Sequence, residues 1–393
     1  MKICIWISKI FELGGTKRVV TLLANELSKE YDVTIMTLQD PSTEDRSMYQ
    51  MKNEVHVDYI NTKVFIDKRK TPPFILRFII KKANAKTGMF NRKSLTGILG
   101  EATYPKKSRD KWIHYLNQKE YDIIISIGGI SLQLAMMAPE LKAKTIGWQH
   151  NCYEGYLDVP NVVFWKKECL LQENLPKLDK YVVLSEYDQR DYRNLLGIES
   201  EVKTNPRSFV SSKKSSGTQK RFLIAARFVY AKGLDLMMES FEEFCRQNEE
   251  WQLDIIGAGE LFDQIKADAS ARKIDHRVNF AGYTNDAESH YLQSSVFLLP
   301  SRWEGWPMVI MEAFEFGLPV IAYHTGAMDL IIEDGKTGLL VEPFDTHEFC
   351  QAMLSLAEKE ELRLQMRNNA ISKSQDFKIE DVVKDWNDLF ARL

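Results

Sequence analysis

Residues 300–317 read Pro-Ser-Arg-Trp-Glu-Gly-Trp-Pro-Met-Val-Ile-Met-Glu-Ala-Phe-Glu-Phe-Gly. The five residues before them, Ser295–Leu299, are a short run with β-branched and aromatic side chains, which predicts a buried strand. Pro307 suits the first position of a helix, because the N–H that proline lacks is not needed there. Gly317 followed by Pro319 predicts the end of that helix. A buried strand, a turn and an apolar helix in this order indicate an α/β fold.

Two carboxylates flank the predicted turn. Glu304 lies in the loop, and Glu312 lies eight positions later on a helix whose only other polar residue is Glu315. A helix this apolar is expected to be buried, and a buried carboxylate is costly unless it is paired or hydrogen-bonded. One interpretation is that Glu312 pairs with a buried arginine and Glu304 is merely exposed. The other is a ligand site, since ligands of α/β sheets bind at strand-to-helix turns.

The whole string resembles the Glu-x7-Glu signature of the retaining glycosyltransferases of family 4, which have the GT-B fold. The segments Ser301–Pro307 and Glu312-Ala313 match Ser-x-x-Glu-Gly-Phe-Pro-x4-Glu-Ala, with Trp306 in place of Phe. The resemblance implies that Glu312 binds the ribose hydroxyls of a nucleotide sugar and that Glu304 binds hydroxyls of the donor sugar. It also implies that sugar and phosphate are surrounded by the backbone of Gly305, Trp306, Pro307, Met308 and Val309.

A second predicted turn carries two cations. Arg227 follows a predicted strand that begins at Arg221, and Lys232-Gly233 opens the next helix. Either cation alone could be surface charge, but together they resemble the Gly-Arg-x5-Lys-Gly pattern of the same family, with Ala226 in place of Gly. A departing nucleotide diphosphate gains negative charge, so two fixed cations stabilise the transition state more than the ground state. The chain contains no Asp-x-Asp, so no metal is predicted, and no cofactor is expected because the nucleotide sugar is a substrate.

Two features of the first half also point to ligands. Gly14-Gly15 stands between a predicted strand and a helix, where glycines allow close approach of a ligand and the helix N-terminus can hold an anion. The run Gly14–Val20 resembles the family's Gly-Gly-Ala-Glu-Arg-Val-Val. His150 follows the predicted strand Lys144–Trp148. It could be a hydrogen-bonded structural residue, whereas the resemblance implies a catalytic histidine close to the donor sugar.

The order of predicted elements indicates two Rossmann-like domains, which in the GT-B fold face each other across a cleft. We predict an acceptor-side domain over 1–205, a nucleotide-sugar-binding domain over 221–375, and a C-terminal helix over 376–393 that packs back on the first domain. Residues 206–220 are rich in Ser and Lys, which predicts a flexible linker.

Composition limits the class of protein. The chain has 393 residues, 44% of them hydrophobic and 27% charged, which is ordinary for a globular protein. Its five cysteines are scattered without a Cys-x-x-Cys pair, which favours reduced thiols in the cytoplasm over a disulfide framework or a zinc site. The first apolar run is too short for a signal peptide, and no run approaches the length of a membrane span.

Charge is unevenly distributed along the chain. Residues 62–111 contain fourteen Lys/Arg and three Asp/Glu, a net charge of +11, within a chain of net charge −3. This basic segment predicts an anionic partner. Three interpretations stay open: an anionic membrane surface, an acidic or pyrophosphate-linked acceptor, and a solvated face whose apolar residues, such as Phe74–Leu76 and Phe78–Ile80, pack inward.

The resemblance as a whole implies a retaining hexosyltransferase of cell-surface polysaccharide or glycoconjugate synthesis. Its expected partners are a nucleotide-sugar donor, with UDP favoured, and a growing or lipid-linked glycan, but no nucleic acid. The expected location is the cytoplasm, with peripheral attachment to the inner face of the membrane as an option. The alternatives are a nucleotide-sugar epimerase or phosphorylase of the same fold, and a non-catalytic partner subunit. A nicotinamide dehydrogenase is disfavoured because Gly-x-Gly-x-x-Gly is missing from the first βαβ unit.

Overall fold

The computed structural model describes residues 1–61, Phe65 and residues 72–393. Residues 66–71, with Lys68, Arg69 and Lys70 of the basic segment, lie outside the described part of the chain. The chain divides into two compact units: unit 1 is Met1–Asn205 with Ile379–Leu393, and unit 2 is Pro206–Lys378. Each unit has a parallel sheet with helices, so the predicted α/β fold with two Rossmann-like domains is confirmed.

Unit 1 is built on a seven-stranded sheet. Its strands are β1 (Lys2–Ile7), β2 (Asp32–Thr37), β3 (His56–Tyr59), β4 (Ile123–Ile127), β5 (Lys144–Trp148), β6 (Lys180–Val183) and β7 (Glu201–Val202). Its helices up to the end of that sheet are α1 (Gly15–Leu27), α2 (Pro72–Thr87), α3 (Thr96–Thr103), α4 (Lys106–Gln118), α5 (Ile130–Ala135), α6 (Tyr153–Leu157), α7 (Glu168–Asn174) and α8 (Glu186–Asp191). The strand order is β3-β2-β1-β4-β5-β6-β7, with parallel pairing throughout. The central strands are almost continuously apolar, as strands covered on both faces must be.

Unit 2 repeats this plan with six strands. They are β8 (Arg221–Ala225), β9 (Gln252–Ile256), β10 (Val278–Gly282), β11 (Val296–Leu299), β12 (Val320–Tyr323) and β13 (Gly338–Val341). The helices are α9 (Leu234–Cys245), α10 (Phe262–Ala271), α11 (Ala287–Leu292), α12 (Met308–Phe316), α13 (Met328–Ile331), α14 (Thr346–Glu358) and α15 (Glu360–Lys373). The order is β10-β9-β8-β11-β12-β13, again parallel.

The last helix, α16 (Ile379–Phe390), belongs to unit 1. Trp386 is fully buried there, and its ring centroid lies 4.8 Å from that of Trp148 at the end of β5. Phe390 packs edge-on against Tyr31, with 6.2 Å between the ring centroids. The apolar residues at helical spacing that the sequence places near the C-terminus therefore complete the core of the first unit.

In unit 2, the strand order reverses between β8 and β11, which lie side by side. Ligands of open α/β sheets bind outside the carboxyl ends of the strands at such a switch point. Strand β8 leads into the turn with Arg227 and Lys232, and β11 leads into the turn with Glu304. The topology thus puts the two turns that the sequence singles out at neighbouring strand ends.

Residues 206–220, which composition predicts to be a flexible linker, are part of unit 2 in the structure. The backbone N–H of Arg207 donates to the carbonyl of Phe377 at 2.8 Å, and that of Ser215 donates to the carbonyl of Phe316 at 2.9 Å. We call residues 207–215 the entry segment, because they lead into this unit. Their polar side chains, which suggested a solvated linker, are used for hydrogen bonds to buried acids of α12, as described below.

Candidate functional site

The turn after β8 holds the two predicted phosphate ligands in different surroundings. Arg227 is exposed, and among the described residues no carboxylate forms an ion pair with its guanidinium. Lys232 ends a single 3₁₀ turn over Tyr230–Lys232, and its side chain is only 20% exposed. Gly233 follows with φ of 61°, a left-handed conformation that favours glycine.

The turn after β11 brings Glu304 to Lys232. Lys232 Nζ lies 2.5 Å from Glu304 Oε1, and Ser301 Oγ donates to the same oxygen at 2.7 Å. Glu304 is 9% exposed, so the interpretation that it is simply a solvated residue is wrong. A carboxylate at this depth needs such partners, because burial without them would cost several kcal/mol. The structure therefore joins one residue from each predicted turn in a single ion pair.

A backbone contact fixes the two turns against one another. A methyl group added at Gly233 would lie 1.9 Å from the carbonyl oxygen of Pro300, closer than any real contact. Beside it, Arg302 forms a bidentate pair with Asp235 of α9, at 2.8 and 2.6 Å, and lies over the ring of Tyr230 at 4.0 Å. These contacts tie the loop after β11 to the first turn of α9 and so set the position of the Lys232–Glu304 pair.

Helix α12 begins one residue later than the sequence predicts. Pro307 is the N-cap, with φ of −73° and ψ of 105°, and Met308 is the first helical residue. The helix ends as predicted, at Gly317 with φ of 78°. The backbone predicted to bind sugar and phosphate therefore forms the loop before α12 and its first turn, and it comprises Gly305, Trp306, Pro307, Met308 and Val309. The N–H groups in the first turn of a helix have no partner within the helix. Of the five residues, all but Val309 are buried.

Glu312 is buried in α12 and is held by hydroxyl groups. Ser208 Oγ of the entry segment donates to Oε1 at 2.6 Å, and Tyr291 Oη of α11 donates to Oε2 at 3.0 Å. The ring of Tyr291 stacks on Phe316, with 5.0 Å between the centroids, and is itself fully buried. Hydroxyl partners are the kind that ribose hydroxyls could replace without leaving the carboxylate unsatisfied.

The buried arginine that the alternative interpretation requires does exist, but it pairs with Glu315. Arg207 Nη1 lies 2.6 Å from Glu315 Oε2, and Lys214 Nζ lies 2.6 Å from Oε1. The backbone N–H of Ser211 adds a hydrogen bond at 3.0 Å. Burial alone would raise the pKa of Glu315, but Lys214, the Ser211 amide and Arg207 outweigh it and hold the pKa below its ordinary value. Glu315 is therefore the structural acid of α12, and it anchors the entry segment.

In unit 1, Gly14 and Gly15 lie at the N-terminus of α1, at the carboxyl end of the sheet. Gly14 is the N-cap with φ of 153°, and Gly15 is the first residue of the helix and exposed. The N–H of Gly14 donates to the hydroxyl of Tyr49 at 2.8 Å. Arg18, one turn into the helix, lies over the ring of the same tyrosine at 5.4 Å.

His150 follows β5 as predicted, and its ring packs against Trp148 with 4.1 Å between the centroids. Its Nε2 is buried and has no hydrogen-bond partner among the described residues. Burial lowers the pKa of His150 to about 3, so the imidazole is neutral at pH 7. The preceding residue, Gln149, is buried and hydrogen-bonds to the hydroxyls of Tyr181 and Tyr192, which fixes the backbone next to the imidazole.

The predicted site residues thus fall into two groups. Unit 2 carries Arg227, Lys232, Glu304, Glu312 and the backbone of residues 305–309, and unit 1 carries Gly14, Gly15 and His150. Sequence reasoning missed Ser208 and Tyr291, because single hydroxyl residues far from a motif give no signal. It could have found Ser301, which stands inside the quoted string.

Over the described ranges 1–61, 65 and 72–393, no group of three or more His, Cys, Asp or Glu side chains is arranged to hold a metal ion. The helices in that part of the chain are all too short or too polar to cross a membrane.

Comparison with known proteins agrees with this arrangement. Residues 207–373 match the model of the family glycosyl transferases group 1, which covers both turns, α12 and the entry segment. This chain carries a glycosyltransferase group 1 domain. The chain is 26% identical, over 98% of its length and 98% of the relative's, to an uncharacterised glycosyltransferase of Haemophilus influenzae.

Two further comparisons cover almost all of this glycosyltransferase. A GalNAc-α-(1→4)-GalNAc-α-(1→3)-diNAcBac-PP-undecaprenol α-1,4-N-acetyl-D-galactosaminyltransferase of Campylobacter jejuni is 24% identical over 97% of this chain and 96% of its own. The structure of a TarM variant of S. aureus in complex with fondaparinux, α-GlcNAc-glycerol and UDP superposes with a TM-score of 0.77 at 17% identity, over 99% of this chain and 100% of that one. The fold is therefore that of the GT-B glycosyltransferases.

Proposed function

We propose that this glycosyltransferase moves a hexose from a UDP-sugar to a growing glycan, with retention of the anomeric configuration, and that the acceptor is lipid-linked. The observation that carries the proposal is the Lys232–Glu304 pair, in which a cation from the β8 turn meets a carboxylate from the β11 turn at the switch point of the sheet. The TarM variant contains UDP, and the Campylobacter relative is named for an undecaprenol-linked acceptor, which supports these two choices.

In the proposed reaction, the bond between the sugar's anomeric carbon and the β-phosphate oxygen breaks, and a bond to an acceptor hydroxyl oxygen forms on the same face. The acceptor proton passes to the departing phosphate. Arg227 and Lys232 stabilise the charge that develops on the diphosphate, Arg as a bidentate partner and Lys as a point charge. These two cations supply the charge neutralisation for which other sites use a metal, so no metal is required.

Five other features complete the proposed site. Glu304 would exchange Lys232 for hydroxyls of the donor sugar, and Glu312 would exchange the Ser208 hydroxyl for the ribose. The backbone of residues 305–309 would surround sugar and phosphate. Neutral His150, whose Nε2 has no partner among the described residues, would hydrogen-bond to the sugar. Gly14 and Gly15 would admit ligand to the N-terminus of α1.

The test is to offer a panel of UDP-, GDP- and TDP-hexoses with and without an undecaprenyl-diphosphate-linked glycan and to measure nucleotide release. We expect release from one UDP-hexose, accelerated by the acceptor, and a product with the anomeric configuration of the donor in its NMR spectrum. An inverted product would contradict retention. Interconversion of free nucleotide sugars without transfer would identify an epimerase, and nucleotide binding without turnover would favour a non-catalytic partner subunit.

A further inference from the structure

Helix α2 presents large apolar side chains to solvent. Ile75, Leu76, Phe78 and Ile79 are 49%, 59%, 47% and 56% exposed. Soluble proteins rarely leave so many large apolar groups together on the surface unless the surface has a partner. These four residues do not pack inward, so the interpretation of the basic segment as a solvated face with inward-packed apolar residues is wrong for them.

The exposed residues share one side of the helix. At about 100° per residue, positions 75, 76, 78 and 79 fall within an arc of roughly 160°. The same side continues toward the C-terminal end of α2 with Lys82 and Lys86, four and eight positions after Phe78. The ammonium of Lys82 lies 4.8 Å from the centroid of the Phe78 ring. This outer face of α2 is therefore apolar in its first two turns and cationic in its last two.

The second half of α2 is anchored to the rest of unit 1. Asn84 is buried, and its side chain donates to the carbonyl of Lys166 at 2.7 Å. Trp165 Nε1 donates to the carbonyl of Ala85 at 3.0 Å, and Lys166 Nζ to that of Lys86 at 2.8 Å. These bonds explain why the helix keeps its place although its outer face is apolar.

The surroundings of the outer face carry positive charge. Residues 72–93 contain six Lys/Arg and no Asp/Glu. Among the described residues, no carboxylate forms an ion pair with Lys81, Lys82 or Lys86. Lys167 adds a further cation nearby, and its pKa is lowered by burial and then by Lys81. A surface that joins apolar groups to unbalanced cations differs from the core of a protein interface, which is depleted of charged residues.

We propose that the outer face of α2 docks this glycosyltransferase on an anionic lipid bilayer. Ile75, Leu76, Phe78 and Ile79 enter the boundary between headgroups and acyl chains, as the apolar face of an interfacial helix does. Lys82 and Lys86, with Lys81 beside them, contact the anionic headgroups, so the first turns of α2 lie deeper than the last. The inference deepens the proposed function, since it brings the enzyme to a lipid-linked acceptor, but the binding itself does not depend on any nucleotide sugar.

The experiment is co-sedimentation of the full chain, without nucleotide sugar, with vesicles of phosphatidylcholine alone and of equal parts phosphatidylcholine and phosphatidylglycerol. Binding is expected only to the anionic vesicles, and it should weaken between low salt and about 0.5 M salt because screening shortens the Debye length. The triple variant Lys81→Gln/Lys82→Gln/Lys86→Gln should lower the partition coefficient about five-fold per lysine, or about a hundredfold in total. The double variant Leu76→Ser/Ile79→Ser should lower it by about tenfold or more.

Matched controls change the same kinds of residue elsewhere. Lys266→Gln/Lys336→Gln/Lys359→Gln removes three exposed lysines of unit 2, and Leu195→Ser removes an equally exposed leucine of unit 1. Both controls should bind like the wild type, and all variants should keep the wild-type melting temperature because the altered side chains are exposed.

Three results would overturn the proposal. The first is a wild-type protein that stays in the supernatant with anionic vesicles at low salt. The second is unchanged binding of both α2 variants, which would place the membrane contact elsewhere. The third is a wild-type protein that does not bind vesicles but forms a dimer in light scattering, with the α2 variants monomeric. That result would assign the outer face of α2 to contact with a second copy of the chain. If the wild-type protein binds anionic vesicles but shows no transferase activity, that result would count against the proposed function alone.

Discussion

Replacing Lys232 by alanine should damage both turnover and stability, because this lysine has two tasks. It is a proposed ligand of the departing diphosphate, and it is the cation that lies 2.5 Å from buried Glu304. Removal of one preorganised charge-stabilising group lowers turnover by about 10²–10³. The same change leaves Glu304 with the Ser301 hydroxyl as its remaining partner from this pair of turns.

The cost in stability follows from the exposure of the pair. Breaking a fully buried ion pair on one side costs about 3–5 kcal/mol. The side chain of Lys232 is 20% exposed and that of Glu304 10%, so water compensates part of the loss. We expect a loss of about 2 kcal/mol, which for a unit of this size lowers the melting temperature by about 6 °C.

Two companion variants separate the two effects. Arg227→Ala should lose turnover to the same degree with an unchanged melting temperature, because the guanidinium is exposed and, among the described residues, has no ion-pair carboxylate. The double variant Lys232→Ala/Glu304→Gln should regain most of the lost stability and none of the activity, since the uncompensated buried charge is gone. Turnover is measured as nucleotide release, and stability as the melting temperature and the free energy of unfolding in urea.

Near-wild-type turnover in both Lys232→Ala and Arg227→Ala would refute the assignment of these cations to the diphosphate. A double variant no more stable than Lys232→Ala would show that the ion pair is not the origin of the stability loss.

Three further predictions concern the carboxylates, the histidine and the metal. Glu312→Gln should weaken UDP binding by about 1–3 kcal/mol in calorimetry, because a charged hydrogen-bond acceptor is lost. The matched variant Glu315→Gln should destabilise unit 2 by about 3 kcal/mol and leave UDP affinity unchanged. The opposite pattern would show that Glu315 binds the nucleotide and that Glu312 is the structural acid. The pKa of His150 falls from 6.5 in the unfolded state to about 3 in the folded state. Between these two pH values the unfolded state binds a proton that the folded state does not bind, so the free energy of unfolding decreases as pH drops below 6.5. Between pH 7 and 5 the free energy of unfolding in urea should fall by roughly 2 kcal/mol, and His150→Asn should abolish this decrease. If the variant shows the same dependence on pH, other titratable groups cause the decrease. Turnover should be unchanged by EDTA, and a loss restored by magnesium or manganese would disprove the metal-free proposal.

Much of unit 2 could be predicted from local pattern. The apolar run before Pro300, the proline near the start of α12 and Gly317 at its end are signals within a few residues, and the structure places each boundary within one position. The positions of Arg227 and His150 after their strands follow from the same βα order. These features depend on short-range geometry, which sequence spacing determines directly.

The partners of the buried acids could not be predicted. Glu312 and Glu315 lie three positions apart on one helix, and nothing in their spacing tells which of them meets a cation. The answer lies about a hundred residues earlier, in the entry segment, where Ser208 reaches one and Arg207 the other. Polar residues face solvent only where no buried acid uses them as hydrogen-bond partners. Composition does not show these partners, and for that reason the entry segment resembled a flexible linker.

The close approach of Gly233 to Pro300 limits how the enzyme can be re-engineered. No side chain fits at Gly233, since even a methyl group would stand 1.9 Å from a carbonyl oxygen that belongs to the other turn. Arg302 is similarly committed, through its two bonds to Asp235. Trp303 is only half-buried. A library that seeks a new donor preference at this proposed site should therefore vary position 303 and keep the glycine, because any replacement there would separate the two turns before it could alter a contact with the proposed sugar ligand.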